Sequence, residues 1–236
     1  MKQEIIRLDL GAVNCYLGKT ENGFLLFDTG GHIVMDKEFS NRREILQKEL
    51  AKAGCNPGNL NLVVLTHGDN DHVCNAAYVR DQYRTKIAIH PDDLKLVKNP
   101  DIEDFLSSFR YKPLMYRAIF KIMGRVIYKV SIKVLNDFEK FTPDVLIEDN
   151  FRLSDYGFDG QILSLPGHTP GSIAILTKSG ELIAGDTFVN MGKPGIAFNA
   201  MDHKRMTESI KKLESYRFHT VYPGHGKPFP YTDLRS

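Results

Sequence analysis

Cysteine and long apolar runs are both scarce in this chain of 236 residues. Cys15, Cys55 and Cys74 are three in number and far apart, which excludes a disulfide framework and a thiolate zinc cluster. Any metal must therefore rest on nitrogen and oxygen donors. No stretch approaches the roughly 18 apolar residues of a membrane span, and the opening MKQEIIRLDLGAV lacks the continuous apolar segment of a signal peptide. A cytoplasmic protein is expected. Excess charge is also missing: a net +2 gives no reason to expect a nucleic-acid partner. With 42% hydrophobic and 25% charged residues, 19 Gly and 11 Pro, the composition is that of a globular chain, and the length fits a single domain over 1–236.

Short apolar runs ending in turn signals recur at Ile5–Leu10, Cys15–Leu17, Phe24–Phe27, Leu62–Leu65, Lys86–Ile89, Gln161–Leu165, Ile173–Thr177 and Leu182–Ala184. These read as strands, two pairs of them joined by hairpin turns at 21–23 and 178–180. Helical patterns lie between them at Arg42–Ala53, Asp71–Tyr83 and Lys204–Tyr216, the last with Asp202 as its N-cap. Two strand-rich halves with interspersed helices predict an α/β protein built as a four-layer αββα sandwich.

Residues 91–150 break the rhythm and read as an insert. From Phe105 to Phe141 eight basic residues stand against two acidic ones, a net of +6. Arg117, Lys121, Arg125, Lys129 and Lys133 recur every four residues, while Met115, Ile119, Ile122, Val126, Val130 and Val134 follow helical spacing on another face. An amphipathic helix is predicted, although alternation from Val126 to Val134 and the break at Gly124 also suit a strand. Such an insert can pack on the core, close over a site as a lid, form a homodimer contact, or meet an acidic substrate or, peripherally, an anionic membrane surface. As a lid it could bring Tyr111, Tyr116 or Tyr128 to a substrate.

The chemistry-bearing residues cluster after apolar runs. "THGDNDH" at 66–72 presents His67, Asp69, Asp71 and His72 where a strand gives way to a helix. "PGHTPGS" presents His168, "GDT" presents Asp186 and "PGHG" presents His225, each after a predicted strand and beside glycine, which permits close backbone approach.

The ordered set "FDTG", "THGDNDH", "PGHTPGS", "GD" and "PGHG" resembles the metallo-β-lactamase superfamily over nearly the whole chain, residues 91–150 being the least familiar part. The resemblance implies an αββα sandwich with a two-metal site at one edge of the sheets. His67, Asp69 and His168 would hold one ion and Asp71, His72 and His225 the other, with Asp186 bridging. Asp28 of "FDTG" would support a ligand loop without coordinating. Asp69 departs from the family, which usually has a histidine at that point of the motif. Two divalent ions against three aspartates leave +1, where the usual histidine would leave +2. A less positive site favours harder metals, so iron or manganese stands beside zinc, the commonest expectation. Aspartate is also shorter, and a weak first site is one possible result.

The implied reaction is hydrolysis of a small-molecule ester, thioester, lactone or phosphoester by a metal-activated hydroxide, with Asp71 both ligating and moving a proton. The alternative is a diiron redox protein, similar to the flavodiiron proteins, that reduces oxygen or nitric oxide with an external electron donor. Only eleven residues follow His225, so neither the C-terminal helical domain of glyoxalase II-like enzymes nor a flavin domain is expected. Of the remaining candidates, Cys74 reads as a thiol supporting the ligands or as a small buried residue, and His32 as a loop residue near the cleft. His90, His203 and His219 read as structural.

Overall fold

The computed structural model describes residues 3–33, 36 and 38–234. One sheet carries β1 (Glu4–Asp9), β2 (Asn14–Thr20), β3 (Gly23–Phe27), β4 (Leu60–Val64), β5 (Ile87–Ile89) and β6 (Val145–Leu146), in that spatial order. Its first three strands are antiparallel, and β3 to β6 run parallel. The other contains β7 (Gly160–Ser164), β8 (Ile173–Thr177), β9 (Glu181–Asn190), β10 (Pro194–Ile196), β11 (Thr220–Gly226) and β12 (Phe229–Pro230). Its order is β12-β11-β9-β8-β7, with β10 added onto β9.

The layering follows from alternation along the strands. Leu25, Phe27, Leu62 and Val64 point between the sheets, where they meet Ile162, Ile175 and Ile183. Their neighbours Leu26 and Val63 point the other way, onto Leu46 and Leu50 of α1 (Arg43–Lys52). In the second sheet Ala174 and Leu182 turn outward to Leu213 of α7 (His203–Leu213). A period of two buries both faces of each sheet, giving helix, sheet, sheet and helix in succession. Each fully buried Leu or Val contributes roughly 1.5–3 kcal/mol relative to exposure.

The helix expected over Asp71–Tyr83 is two pieces, α2 (Asn70–Val73) and α3 (Ala76–Tyr83), because the first turn is bent to aim ligand-type side chains. Asp202 does cap α7, accepting from the Lys204 and Arg205 amides. Residues 91–150 supply α4 (Leu94–Lys98), α5 (Ile102–Ser107), α6 (Leu114–Asp137) and the edge strand β6. The strand alternative for α6 is thus set aside: 24 residues form one helix through Gly124. Its inward stripe overlaps the expected one only in part: Val134 is buried and Ile119 lines the cavity beside the centre. Met115, Ile122 and Val126 are exposed, and Tyr116, Phe120, Met123 and Ile127 face inward. Both stripes satisfy a helical period, and the larger, more aromatic one turns toward the body. Among the described residues no helix is long and apolar enough to cross a membrane.

Candidate metal centre

All seven predicted residues converge at one end of the sheets. His67, Asp69, Asp71 and His72 come from the loop after β4 and from α2; His168 comes from the loop between β7 and β8. Asp186 and His225 correct the reading that each ligand follows a strand end, because they lie inside β9 and β11. Those strands are locally irregular: their register shifts between Tyr222 and Pro223 and again between Pro223 and His225. Gly185 at φ +48 helps turn Asp186 inward, and a Cβ on Gly224 would lie 2.0 Å from the Asp186 carboxylate.

Each of the four imidazoles is anchored through Nδ1. His72 donates to Asp28 Oδ2 at 2.9 Å, His168 to the Asn199 carbonyl at 3.1 Å, His225 to the Ala12 carbonyl at 2.6 Å, and His67 to Thr66 Oγ1 at 2.9 Å. Thr66 in turn donates its hydroxyl and its amide to Asp28. Asp28 sits at φ 63, a strained value for a non-glycine residue, held by these bonds. The Nε2 atoms are thereby left to face a common centre.

Around that centre Asp186 lies between two groups. Its carboxylate is 3.7 Å from His168 Nε2, 3.3 Å from His72 Nε2 and 3.1 Å from His225 Nε2. Asp69 Oδ2 is 3.1 Å from His168 Nε2 and 4.0 Å from His67 Nε2, and Asp71 Oδ2 is 3.4 Å from His225 Nε2. Two ligands each about 2.1 Å from a tetrahedral ion are about 3.4 Å apart. The observed spacings suit ions shared between these side chains. Asp69, despite its length, lies within 4.8 Å of both His67 and His168 through one donor atom each, and the Asp71–His72–His225 group meets the same limit.

Burial and charge give a further test of fit. His67 Nε2, His72 Nε2 and Asp186 Oδ1 are buried without a hydrogen-bond partner, a costly condition that a cation at the centre would relieve. Burial and the neighbouring His72 and His168 depress His67 well below the usual histidine range, which leaves it a neutral donor. Burial opposes protonation of His72 and His225 as well, but Asp186 and Asp71 outweigh it and lift both well above that range. In His168 the same opposition is overcome by Asp69, and the group rises to about 9. Carboxylates thus draw protons into the place where metal ions would substitute for them.

Several supporting residues carry no sequence signal. Asp93, fully buried, accepts from the Gly68 amide at 2.7 Å, the Gly171 amide at 2.7 Å and Thr169 Oγ1 at 2.6 Å, clasping two ligand loops together. Ser108, just after α5, donates to Asp69 Oδ1 at 2.7 Å, while Asn199 donates to the Ser108 carbonyl at 2.9 Å and accepts from His168. A circuit of hydrogen bonds therefore joins Asp69, Ser108, Asn199 and His168. Asn14 donates to the Pro223 and Gly226 carbonyls, fixing the His225 segment to the first sheet. Cys74 is buried and its thiol is pushed up to about 12 by burial, so it is inert at neutral pH. His32 is buried against Asp137 at 2.7 Å and stacks on Phe39. His90 accepts from the Asp92 amide, His203 bonds the Arg110 carbonyl and His219 the Ser179 carbonyl, all local structural contacts.

A cavity of about 560 Å³ opens from this centre beneath α5 and α6, with Asp69, Asp71, Asp186 and His225 in its wall. Tyr111 and Tyr116 also line it, and Tyr128 does not. Burial together with Asp71 and Asp186 pushes the Tyr111 hydroxyl up to about 12.

Four layers with a His/Asp cluster at the sheet edge define an αββα metallohydrolase-type fold. The family model of the metallo-β-lactamase superfamily matches residues 8–225, and the chain belongs to that superfamily. It is 27% identical over 214 residues to the probable metallo-hydrolase MJ0888 of Methanocaldococcus jannaschii, covering 89% of each chain. The B3 metallo-β-lactamase BLEG-1 shares the fold at 20% identity and a TM-score of 0.67, over 98% of this chain and 95% of that one. TTHA1623, solved in a di-iron-bound form, is 25% identical with a TM-score of 0.61 over 92% of this chain and 89% of that one.

Proposed function

We propose that the protein is a binuclear metal-dependent hydrolase of a small-molecule ester, thioester, lactone or phosphoester, acting as one domain roofed by residues 91–150. The observation that carries this reading is the convergence of Nε2 atoms anchored from behind and carboxylate oxygens around Asp186, with His67 Nε2, His72 Nε2 and Asp186 Oδ1 buried and unpartnered. His67, Asp69 and His168 would hold one ion and Asp71, His72 and His225 the other, with Asp186 placed between the two groups. Bound there, two divalent ions supply Lewis-acid polarisation of the scissile oxygen and acidify a water. Asp71, which lines the cavity, would be placed to accept a proton there and return it to a leaving group. Asp28, Thr66 and two backbone carbonyls, the acceptors on the four Nδ1 atoms, keep the imidazoles in one tautomer throughout.

Zinc is the first expectation, and Asp69 together with the di-iron form of TTHA1623 supports iron. Three free, buried cysteines support a reducing, cytoplasmic setting. Elemental analysis of protein purified without added metal or chelator, joined to assays on aryl esters, thioesters, lactones and bis(p-nitrophenyl) phosphate, tests the reading. About two ions per chain with turnover of one class is expected. A single tightly held ion removes the binuclear assignment, and two irons with reductant-dependent oxygen uptake but no hydrolysis overturn hydrolysis itself.

A further inference from the structure

The cavity under α5 and α6 is more informative about substrate than the ligand set, because its walls are unlike its floor. At the floor stand the carboxylates and His225. Away from it the walls are Phe105, Phe109, Phe120, Met123, Ile127 and Phe138, contributed by α5, α6 and the segments beside them. Phe109 stacks on Phe120 at 5.2 Å between centroids, and Tyr111 packs on the same ring at 4.6 Å. These aromatic contacts make a continuous apolar lining.

The polar groups in the wall are as telling. Among the described lining residues there is no Lys or Arg, although α6 carries Arg117, Lys121, Arg125, Lys129 and Lys133. The helix turns its cations out and its aromatic face in. Asp104 adds another carboxylate to the wall. Away from the floor, the free oxygens of a phosphodiester would meet Asp104 and apolar rings and no Lys or Arg, an unfavourable arrangement. A carbonyl compound places only one polar group at the metal floor and leaves the rest of the molecule to the apolar walls. A volume of about 560 Å³ sits inside the range of roughly 300–1,000 Å³ typical of small-molecule sites, far more than a methyl or ethyl group needs.

We infer that the substrate is an uncharged carbonyl ester, thioester or lactone bearing an apolar chain of several methylenes, and that the cavity under α5 and α6 binds this chain. The inference rests on the hydrolase reading for the carbonyl, and on the cavity alone for the chain. Met123 and Phe109 both line this cavity, the first on α6 and the second stacked on the α6 ring Phe120, and they are the positions at which its volume is changed below.

The test uses the full-length, metal-reconstituted protein and two ester series, one lengthened on the acyl side and one on the alcohol side. Full burial of each methylene is worth about fourfold in kcat/KM. The expected result is at least a tenfold gain from butyrate to octanoate, or the same gain in the alcohol series, which identifies the side that carries the chain. Met123→Trp fills the cavity and should lower the octanoate-to-butyrate ratio at least fivefold. Phe109→Ala enlarges it and should move the preferred chain to greater length. Opposite shifts in two variants are not produced by partial unfolding.

Binding of the neutral fluorophore N-phenyl-1-naphthylamine to metal-free protein, and its displacement by 1-decanol, reads the cavity without turnover. Ester hydrolysis with a flat chain-length profile and no fluorophore binding overturns the inference and leaves the hydrolase. Preference for bis(p-nitrophenyl) phosphate over every ester overturns it too. Fluorophore binding that decanol displaces and Met123→Trp abolishes, without hydrolysis of any ester, thioester, lactone or phosphodiester, upholds the chain site while removing the hydrolase reading.

Discussion

The two-sheet body and the α5–α6 roof differ in how they are held. In the body His67, His72 and His168 are almost completely buried, and each is fixed by a hydrogen bond behind it. Of the 24 residues of α6 only Ile127, Ser131 and Val134 are buried, and Ile122 is 84% exposed. The contrast separates two tasks. Chemistry demands donors placed within a fraction of an ångström, so it sits where both faces of a sheet are packed. Selectivity demands only a wall of suitable shape, so a helix resting on few contacts suffices.

The largest effect should come from the centre of the body. Asp186→Ala removes the group between the two donor sets, and kcat/KM is expected to fall on the order of 10²–10⁴-fold, the worth of several kcal/mol of Lewis-acid stabilisation. Elemental analysis of the variant should show fewer than two ions, and full activity with two ions retained would contradict the bridging assignment.

Next comes the clasp. Burial outweighs three hydrogen-bond donors and raises the Asp93 carboxyl to about 6, above the ordinary unfolded value near 3.9. A folded pKa above the unfolded one means stability fully present below about pH 4 and lost as pH rises through about 6. Asp93→Asn cannot ionise and should cost about 2–3 kcal/mol at pH 5, with the gap to wild type narrowing by pH 7.5. Thermal melts at the two pH values check the sign, and a gap that widens with pH shows that the donors prevail over burial.

Body and roof touch at Ser108. Ser108→Ala frees Asp69 Oδ1 and should weaken retention of the first ion about tenfold, with the second unaffected. Metal competition with a chromophoric chelator measures this, and equal loss from both sites would mean the hydrogen bond supports the whole centre. The smallest effect sharpens the comparison itself. Leu25→Ala, between the sheets, should cost about 2–5 kcal/mol, whereas Ile122→Ala should stay within about 0.5 kcal/mol in urea titrations.

Much of this was readable in the residues. Apolar runs ending in turn signals at Phe24–Phe27 and Leu62–Leu65 foretold strands, and glycine-flanked His and Asp residues foretold a site where loops meet. What escaped has physical causes. Asp93 acts on backbone amides, which leave no trace in residue type, and Ser108 meets Asp69 across 39 positions by tertiary packing alone. Asp186 lies within a ten-residue strand whose glycine bend resembles a loop in sequence. On α6 two apolar stripes share one period, and only the space beside the centre selects the aromatic one.

Every imidazole is oriented by a protein acceptor on Nδ1, so the donor set is held by the protein's own hydrogen bonds, and we expect it to need no ion to take shape. Loading would then be an encounter and not a folding event, in contrast to a zinc finger that is unfolded without its metal. Protein stripped by a chelator should keep its near-ultraviolet circular dichroism and take zinc back in a single phase whose rate is proportional to zinc concentration.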